Sequence, residues 1–244
     1  MRRTPHRSGR GLGAISRTPR AVGGTGGSDG SEARPSPPVD CPLCPRLAGF
    51  RQANRVAFSG WHNAPVASFG DPGARLLIVG LAPGLRGANR TGRPFTGDYA
   101  GRLLYPTLLR FGLARGAYRE SPDDGLELVD CRITNAVRCV PPENKPLGEE
   151  VRTCRRFLAG ELRSAPAPRV VLSLGGIAHA SVLRTLGLGL QRHPFAHGAV
   201  YHPPGGPILA PSYHCSRYNL NTGRLTEPMF EEVFVGVRDI LDRL

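Results

Sequence analysis

Short, wholly apolar runs recur along the chain from residue 76 onward, separated by stretches whose apolar residues fall at helical spacing. LLIVG (76–80), CRITNAV (131–137) and VVLSLG (170–175) show little alternation of apolar and polar positions, the pattern of strands buried on both faces. PILAPSYH (207–214) predicts the end of a fourth strand. The spacing predicts helices over 99–111, 147–162 and 177–186, with Leu147, Val151, Leu158 and Leu162 on one face of the second. Thr226 caps a C-terminal helix with Pro228 in its first turn. Strands alternating with helices predict an α/β fold: a three-layer α/β/α sandwich around a short, largely parallel, four-stranded sheet. Such sheets bind ligands at the carboxyl ends of their strands. GLAPG, TNAVRC and PSYHCSR fall at those ends.

Residues 1–37 are rich in Gly, Ser, Pro and Arg, which predicts a disordered basic tail followed by one folded domain over 38–244. The tail holds no apolar run long enough for a signal peptide or a membrane span. A cytoplasmic protein with reduced cysteines is therefore expected. The 32 basic residues outnumber the 19 acidic ones, for a formal charge of +13, and Lys145 is the only lysine. GC-rich codon usage explains arginine in place of lysine but not the surplus over Asp and Glu. The tail carries +5 of that charge, so +8 stays on the domain and points to a polyanionic partner such as nucleic acid.

Cys41 and Cys44 form C-P-L-C, and Cys139 and Cys154 enclose a 14-residue segment. Four soft thiolates can close one zinc or iron-sulfur site, and spacing alone does not separate the two. A redox pair of the thioredoxin kind opens a helix after a strand, whereas this CxxC precedes every expected strand. Cys131, inside a strand, fits a buried structural thiol.

These cysteines, GLAPGLRGANRTGRPFTGD, TNAVRC and PSYHCSRYNLNTGRLT together resemble the family 5 uracil-DNA glycosylases, the UDGb type, from about residue 40 to the C-terminus. The resemblance implies an enzyme that flips uracil, and other deaminated bases, out of DNA and hydrolyses the bond to the deoxyribose. It implies a [4Fe-4S] cluster on Cys41, Cys44, Cys139 and Cys154, with zinc as the lesser alternative, and a monomer acting on double- and single-stranded DNA. Family 4 glycosylases carry a glutamate in a GEAPG-like motif, where this chain has Leu81.

Each motif then has an expected role. Gly80, Ala82, Pro83 and Gly84 close backbone around the flat base, and Phe95 stacks on it. The Asn135 amide reads uracil O4 and N3–H together, although an Asx-turn cap is the simpler role for such a residue. His214 steadies the leaving base at O2, and Asp98 orients water or balances the developing sugar cation. Asp98 could equally cap the following helix, and Asn89 is the alternative for holding water. Ser212, Ser216, Arg217 and Tyr218 are expected to meet DNA, with Arg217 or Tyr218 as the wedge. Arg138, with Arg152, Arg155 and Arg156, is expected at phosphates. Proline usually follows the family's histidine; here Cys215 does, which leaves the path of that loop open.

Three other readings compete. One is a family 4 enzyme, and another a non-catalytic DNA-binding module built on a four-cysteine zinc site. The third, a covalent suicide relative, needs a KRRIH-like insertion that does not follow TGRPFTGD. A nucleotide-binding loop would need GKS, GKT or GxGxxG, and none is present.

Overall fold

The computed structural model describes residues 36–163 and 166–244. The expected tail over 1–37 thus lies, apart from Ser36 and Pro37, outside the described residues. Four parallel strands form where apolar runs predicted them: β2 (Leu76–Gly80), β5 (Cys131–Asn135), β6 (Val170–Leu174) and β7 (Ile208–Ser212). The sheet has a fifth member that the sequence did not announce, the two-residue β1 (Phe69–Gly70), antiparallel to β5. Strand order is β1-β5-β2-β6-β7. Two residues carry no periodicity, so only pairing with β5 reveals β1 as a strand. The same holds for a small hairpin of β3 (Ala114–Arg115) and β4 (Glu127–Leu128).

Every residue of β2 and β6 is buried, because helices cover both faces of the sheet. On one side α4 (Gly148–Leu162) and α5 (Gly176–Thr185) lay Leu158, Leu162, Ala178 and Val182 against Leu77, Val79 and Val171. On the other, α3 (Gly101–Arg110) and α7 (Glu227–Asp242) pack Leu104, Leu108, Phe230 and Phe234 against Leu76, Ile78, Ile133 and Leu172. This is the expected three-layer sandwich. Thr226 caps α7 as expected, its hydroxyl accepting from the Met229 N–H at 3.4 Å.

The helix α1 (Pro45–Ala57) was not predicted, because its buried positions are Leu47, Arg51 and Asn54 rather than an apolar stripe. It packs on sulfur. Leu47 joins Cys41, Val137, Cys139, Val151, Cys154 and Phe157 in a separate small core.

Arg138 corrects an expectation. It is 1 % exposed and paired at 2.9 Å with buried Glu161, so it does not reach a phosphate. Glu161 also receives Arg132 Nε at 2.6 Å and the Ser68 hydroxyl at 2.5 Å. Burial opposes its ionisation, but the bond from Arg132 and the charge of Arg138 hold its pKa below the ordinary value. Glu161→Gln would leave two guanidinium groups without their carboxylate and should cost about 3–5 kcal/mol in urea unfolding at pH 7. Because the folded pKa is depressed, wild-type stability from this group is present above the unfolded carboxyl pKa of about 4.3 and fades as pH falls below it. The variant should lack that fraction of the acid dependence.

Candidate active site

Parallel register places the first two motifs side by side. Gly80, last in β2, lies opposite Asn135, last in β5. A Cβ on Gly80 would overlap the Asn135 Oδ1 and the edge of the Phe95 ring, so glycine is required for these two side chains to converge. Asn135 is buried at 3 % exposure. Its amide makes no hydrogen bond with another described residue, which leaves donor and acceptor available together.

Phe95 has φ +55°, a conformation that costs a non-glycine residue about 1–3 kcal/mol. The surroundings hold it there. Tyr105 Oη donates to the Pro94 carbonyl at 2.5 Å and Tyr118 Oη to the Phe95 carbonyl at 3.3 Å. Arg93 makes a two-pronged, buried pair with Asp124, both bonds 2.8 Å, and its guanidinium lies 5.2 Å from the Phe69 ring centre. The Asp124 carboxyl is drawn well below the usual range by the hydrogen bonds from Arg93. Sequence reading assigned no role to Arg93, Asp124 or Tyr118. The arginine inside TGRPFTGD was visible, but its carboxylate partner lies 31 residues away.

Gly-rich spacing in the first motif is explained by Asp98. Its carboxylate lies against the loop, where a Cβ on Gly87 would come within 2.6 Å of the Asp98 Cβ and 2.7 Å of Oδ2. Asp98 Oδ1 also accepts from the Gly101 N–H at 3.1 Å, so it caps the start of α3 as well as facing the loop. Burial raises its pKa despite that bond and one from the Ala100 N–H.

His214 follows β7, and its ring centre lies 5.9 Å from that of Phe95. Burial pushes its pKa down to about 4, so the imidazole is neutral at pH 7 and offers a single N–H. Nδ1 is buried without a partner. The loop after it is fixed by the Asn219 side chain, which donates to the His214 carbonyl at 2.8 Å. Cys215, in the place of the expected proline, is fully buried in the main core. The chain then turns into α6 (Arg217–Asn221), capped by Ser216. Tyr218 projects into solvent at 71 % exposure, and the Arg217 guanidinium lies 4.9 Å from the Tyr99 ring centre.

An open cleft brings Ala82, Gly84, Asp98, His214, Ser216 and Arg217 together. Leu81 lines it too, and the turn at Gly175–Ala178 forms the opposite wall. Phe95, Asn135 and Gly80 are buried and do not line this cleft, although the Phe95 ring lies beside that of His214, which does. Pro83 and Asn89 do not line it. Asn89 is buried and donates to Asn63 Oδ1 at 2.9 Å, which ties it to the loop after α1. Ser212 is a second correction: fully buried, with its hydroxyl bonded to the Tyr213 carbonyl at 3.0 Å, it presents nothing to DNA. Gly80→Ala should cost about 1–3 kcal/mol of stability through overpacking against Asn135 and Phe95, read as a lowered Tm in a thermal melt.

Cys41, Cys44, Cys139 and Cys154 line one cavity beneath α1 and α4, all as free thiols. Donors already point at two sulfurs: the Arg138 N–H lies 3.3 Å from Cys154 and Arg51 Nη1 3.6 Å from Cys139. Burial pushes the Cys139 and Cys154 thiols up to about 11 and 12. Among the described residues, no three His, Cys, Asp or Glu side chains are grouped tightly enough to hold a metal ion. Cys131 and Cys215 sit apart, in the main core. Asn144, between Cys139 and α4, reaches the open cleft.

Comparison with known proteins gives one consistent answer. The model of the family described as "Uracil DNA glycosylase superfamily" matches residues 67–237. A "Type-5 uracil-DNA glycosylase" of Thermus thermophilus is 50% identical over 200 residues, covering 80% of this chain and 91% of the relative. Proteins of the same name from Pyrobaculum aerophilum and Mycobacterium leprae are each 43% identical over 80% of this chain, covering 86% and 88% of their own lengths. A "Type-4 uracil-DNA glycosylase" of Pyrobaculum aerophilum is 34% identical over 52% of this chain and 57% of its own.

Proposed function

Since this chain belongs to the uracil DNA glycosylase superfamily, we propose that it excises uracil from DNA as the first step of base excision repair. It is a glycosylase in the type 5 manner rather than type 4. The relatives so named match at higher identity, 43–50% against 28–34%, and Leu81 lines the cleft where family 4 carries its glutamate. The observation that carries the mechanism is one cleft, at the carboxyl ends of parallel strands, holding a burial-raised carboxyl and a neutral imidazole.

In this mechanism the uracil nucleotide leaves the duplex and its base slides past His214 toward Gly80. Phe95 offers a π-face and the Asn135 amide pairs with O4 and N3–H. As the bond between N1 and C1′ breaks, its electrons pass to the base, and the His214 N–H stabilises the charge growing at O2. The Asp98 carboxylate faces the sugar, balances its positive charge and orients water toward C1′. Water supplies hydroxide to the sugar and its proton ends on the departing uracil. Tyr218 fills the vacated stack, and Arg217 and Ser216 meet the adjoining backbone.

The four thiols fit a [4Fe-4S] cluster. Cys41, Cys44, Cys139 and Cys154 line one cavity and would hold it as four soft thiolates. When bound, the cluster supplies no chemistry to hydrolysis. It fastens the segment before α1 to the loop that presents Asn144. The free thiols accord with a reducing, cytoplasmic setting. No helix among the described residues is long and apolar enough to cross a membrane.

A labelled duplex with one uracil, treated with enzyme and then alkali, should break at the uracil. Intact strands at every salt concentration would reject the enzyme and favour the zinc-bound DNA-binding module.

A further inference from the structure

A second cleft adjoins the first, between α4 and α5. Arg152 and Arg155 of α4 face Ser181 and Arg184 of α5 across it. None of the three arginines takes part in a salt bridge of the described residues. The inner groups are sealed yet unpaired: Arg155 Nε and Nη2 and the Ser181 hydroxyl are buried without a hydrogen-bond partner. Ser181 is 2 % exposed overall. The buried arginines Arg93 and Arg51 are answered, by Asp124 and by the Cys41 carbonyl at 3.0 Å. An unpaired buried donor is unfavourable, more so when charged, so this cluster is built for something that arrives. Burial, then Arg184 and Arg152, lower the Arg155 pKa, the strain expected of three cations without an anion.

The missing partner is an anion with several acceptor oxygens. A guanidinium with two unpaired donors, an unpaired hydroxyl and two exposed arginines on the lining of one cleft suit a phosphodiester. Both helices begin beside the cleft, with Gly148 and Gly176 on its wall, so their positive ends add to the field. Position selects the source. Gly176 and Ile177 line this cleft and the Asp98–His214 cleft alike, so the two clefts are neighbours.

We propose that the α4–α5 cleft binds a backbone phosphate of the uracil-bearing strand next to the flipped nucleotide, through Arg155 and Ser181, with Arg152 and Arg184 at its rim. The proposal rests on the glycosylase reading. It assigns to Arg155 the phosphate contact that Arg138 does not make.

The test uses the full-length protein, duplexes holding a stable abasic-site analogue, and neutral methylphosphonates placed one at a time at the flanking phosphates. Wild type should lose about 10-fold in affinity at one position, and the slope of log affinity against log salt should be shallower by about 1 there. Arg155→Gln should bind the unmodified duplex about 10-fold more weakly, show the shallower slope, and lose nothing more at that position. Ser181→Ala, a milder change, should reproduce the position-specific loss in part and covers the case in which Arg155→Gln fails to fold. Unchanged affinity and slope in both variants would overturn the proposal, as would a methylphosphonate penalty equal in wild type and variant at every position. Inorganic phosphate alone, raising the wild-type Tm and not that of the variants while DNA binding stays equal, would assign the cleft to a small anion and overturn it as well. Uracil release by saturating wild-type enzyme is read in parallel, so that loss of the glycosylase reading shows separately.

Discussion

Asp98→Asn is expected to slow uracil release by about 10²–10⁴-fold, the range for a positioned acid-base or charge-balancing group, while leaving affinity for an abasic-analogue duplex within a few-fold of wild type. Asparagine is the informative replacement. It keeps an oxygen for the Gly101 N–H and keeps the volume packed against Gly84 and Gly87, so α3 stays capped and only the charge goes. Single-turnover rates at saturating enzyme isolate the chemical step. A wild-type rate in this variant would reduce Asp98 to a helix cap. Because burial raises the Asp98 pKa, the active carboxylate should be lost on acidification at a higher pH than an ordinary carboxyl near 3.9. The acid limb of the rate profile should therefore lie above that value and vanish in the variant. His214, held neutral down to about pH 4, adds no limb between pH 5 and 8.

Cys154→Ser should remove the bound cluster and lower Tm by about 6–20 °C, the shift expected for a loss of about 3–5 kcal/mol in a domain of this size. Metal binding drives folding outright in small domains lacking a core, at about 10–16 kcal/mol for zinc. Here the two faces of the sheet have cores of their own, and the proposed fastening would act on the α1 segment and the loop through Asn144. The purified wild type should be brown, with iron and acid-labile sulfide in equal amounts. Cys131→Ala serves as the control, since Cys131 is buried in the main core away from the site. It should keep its full iron content. Retention of iron by Cys154→Ser, or its loss from Cys131→Ala, would refute the ligand assignment, and one zinc per chain would replace the cluster by an ion.

Parts of the molecule differ in how far they were legible. Asp98 was found because its motif is local: glycines, a carboxylate and the start of a helix lie within some twenty residues. Arg155, by contrast, was visible as one of several arginines on α4, and so was Arg138. Their fates diverge only because Arg138 finds Glu161, 23 residues on, while Arg155 finds none.

By itself the sequence determined the four parallel strands, since a strand covered by helices on both faces must be apolar throughout, and apolar runs need no partner to be recognised. It determined the helices whose buried side is a hydrocarbon stripe, and it marked the strand ends as the chemical side of the sheet. Only the tertiary structure decided what depends on pairing across the chain. Gly80 meets Asn135 through strand register, α1 buries against sulfur rather than along a stripe, and Ser212 turns inward at a strand end that looked exposed. Charge shows the same division most clearly: a net surplus of arginine is a property of composition, but whether a given guanidinium is neutralised inside or left unpaired among the described residues is set by which residue the fold places opposite it.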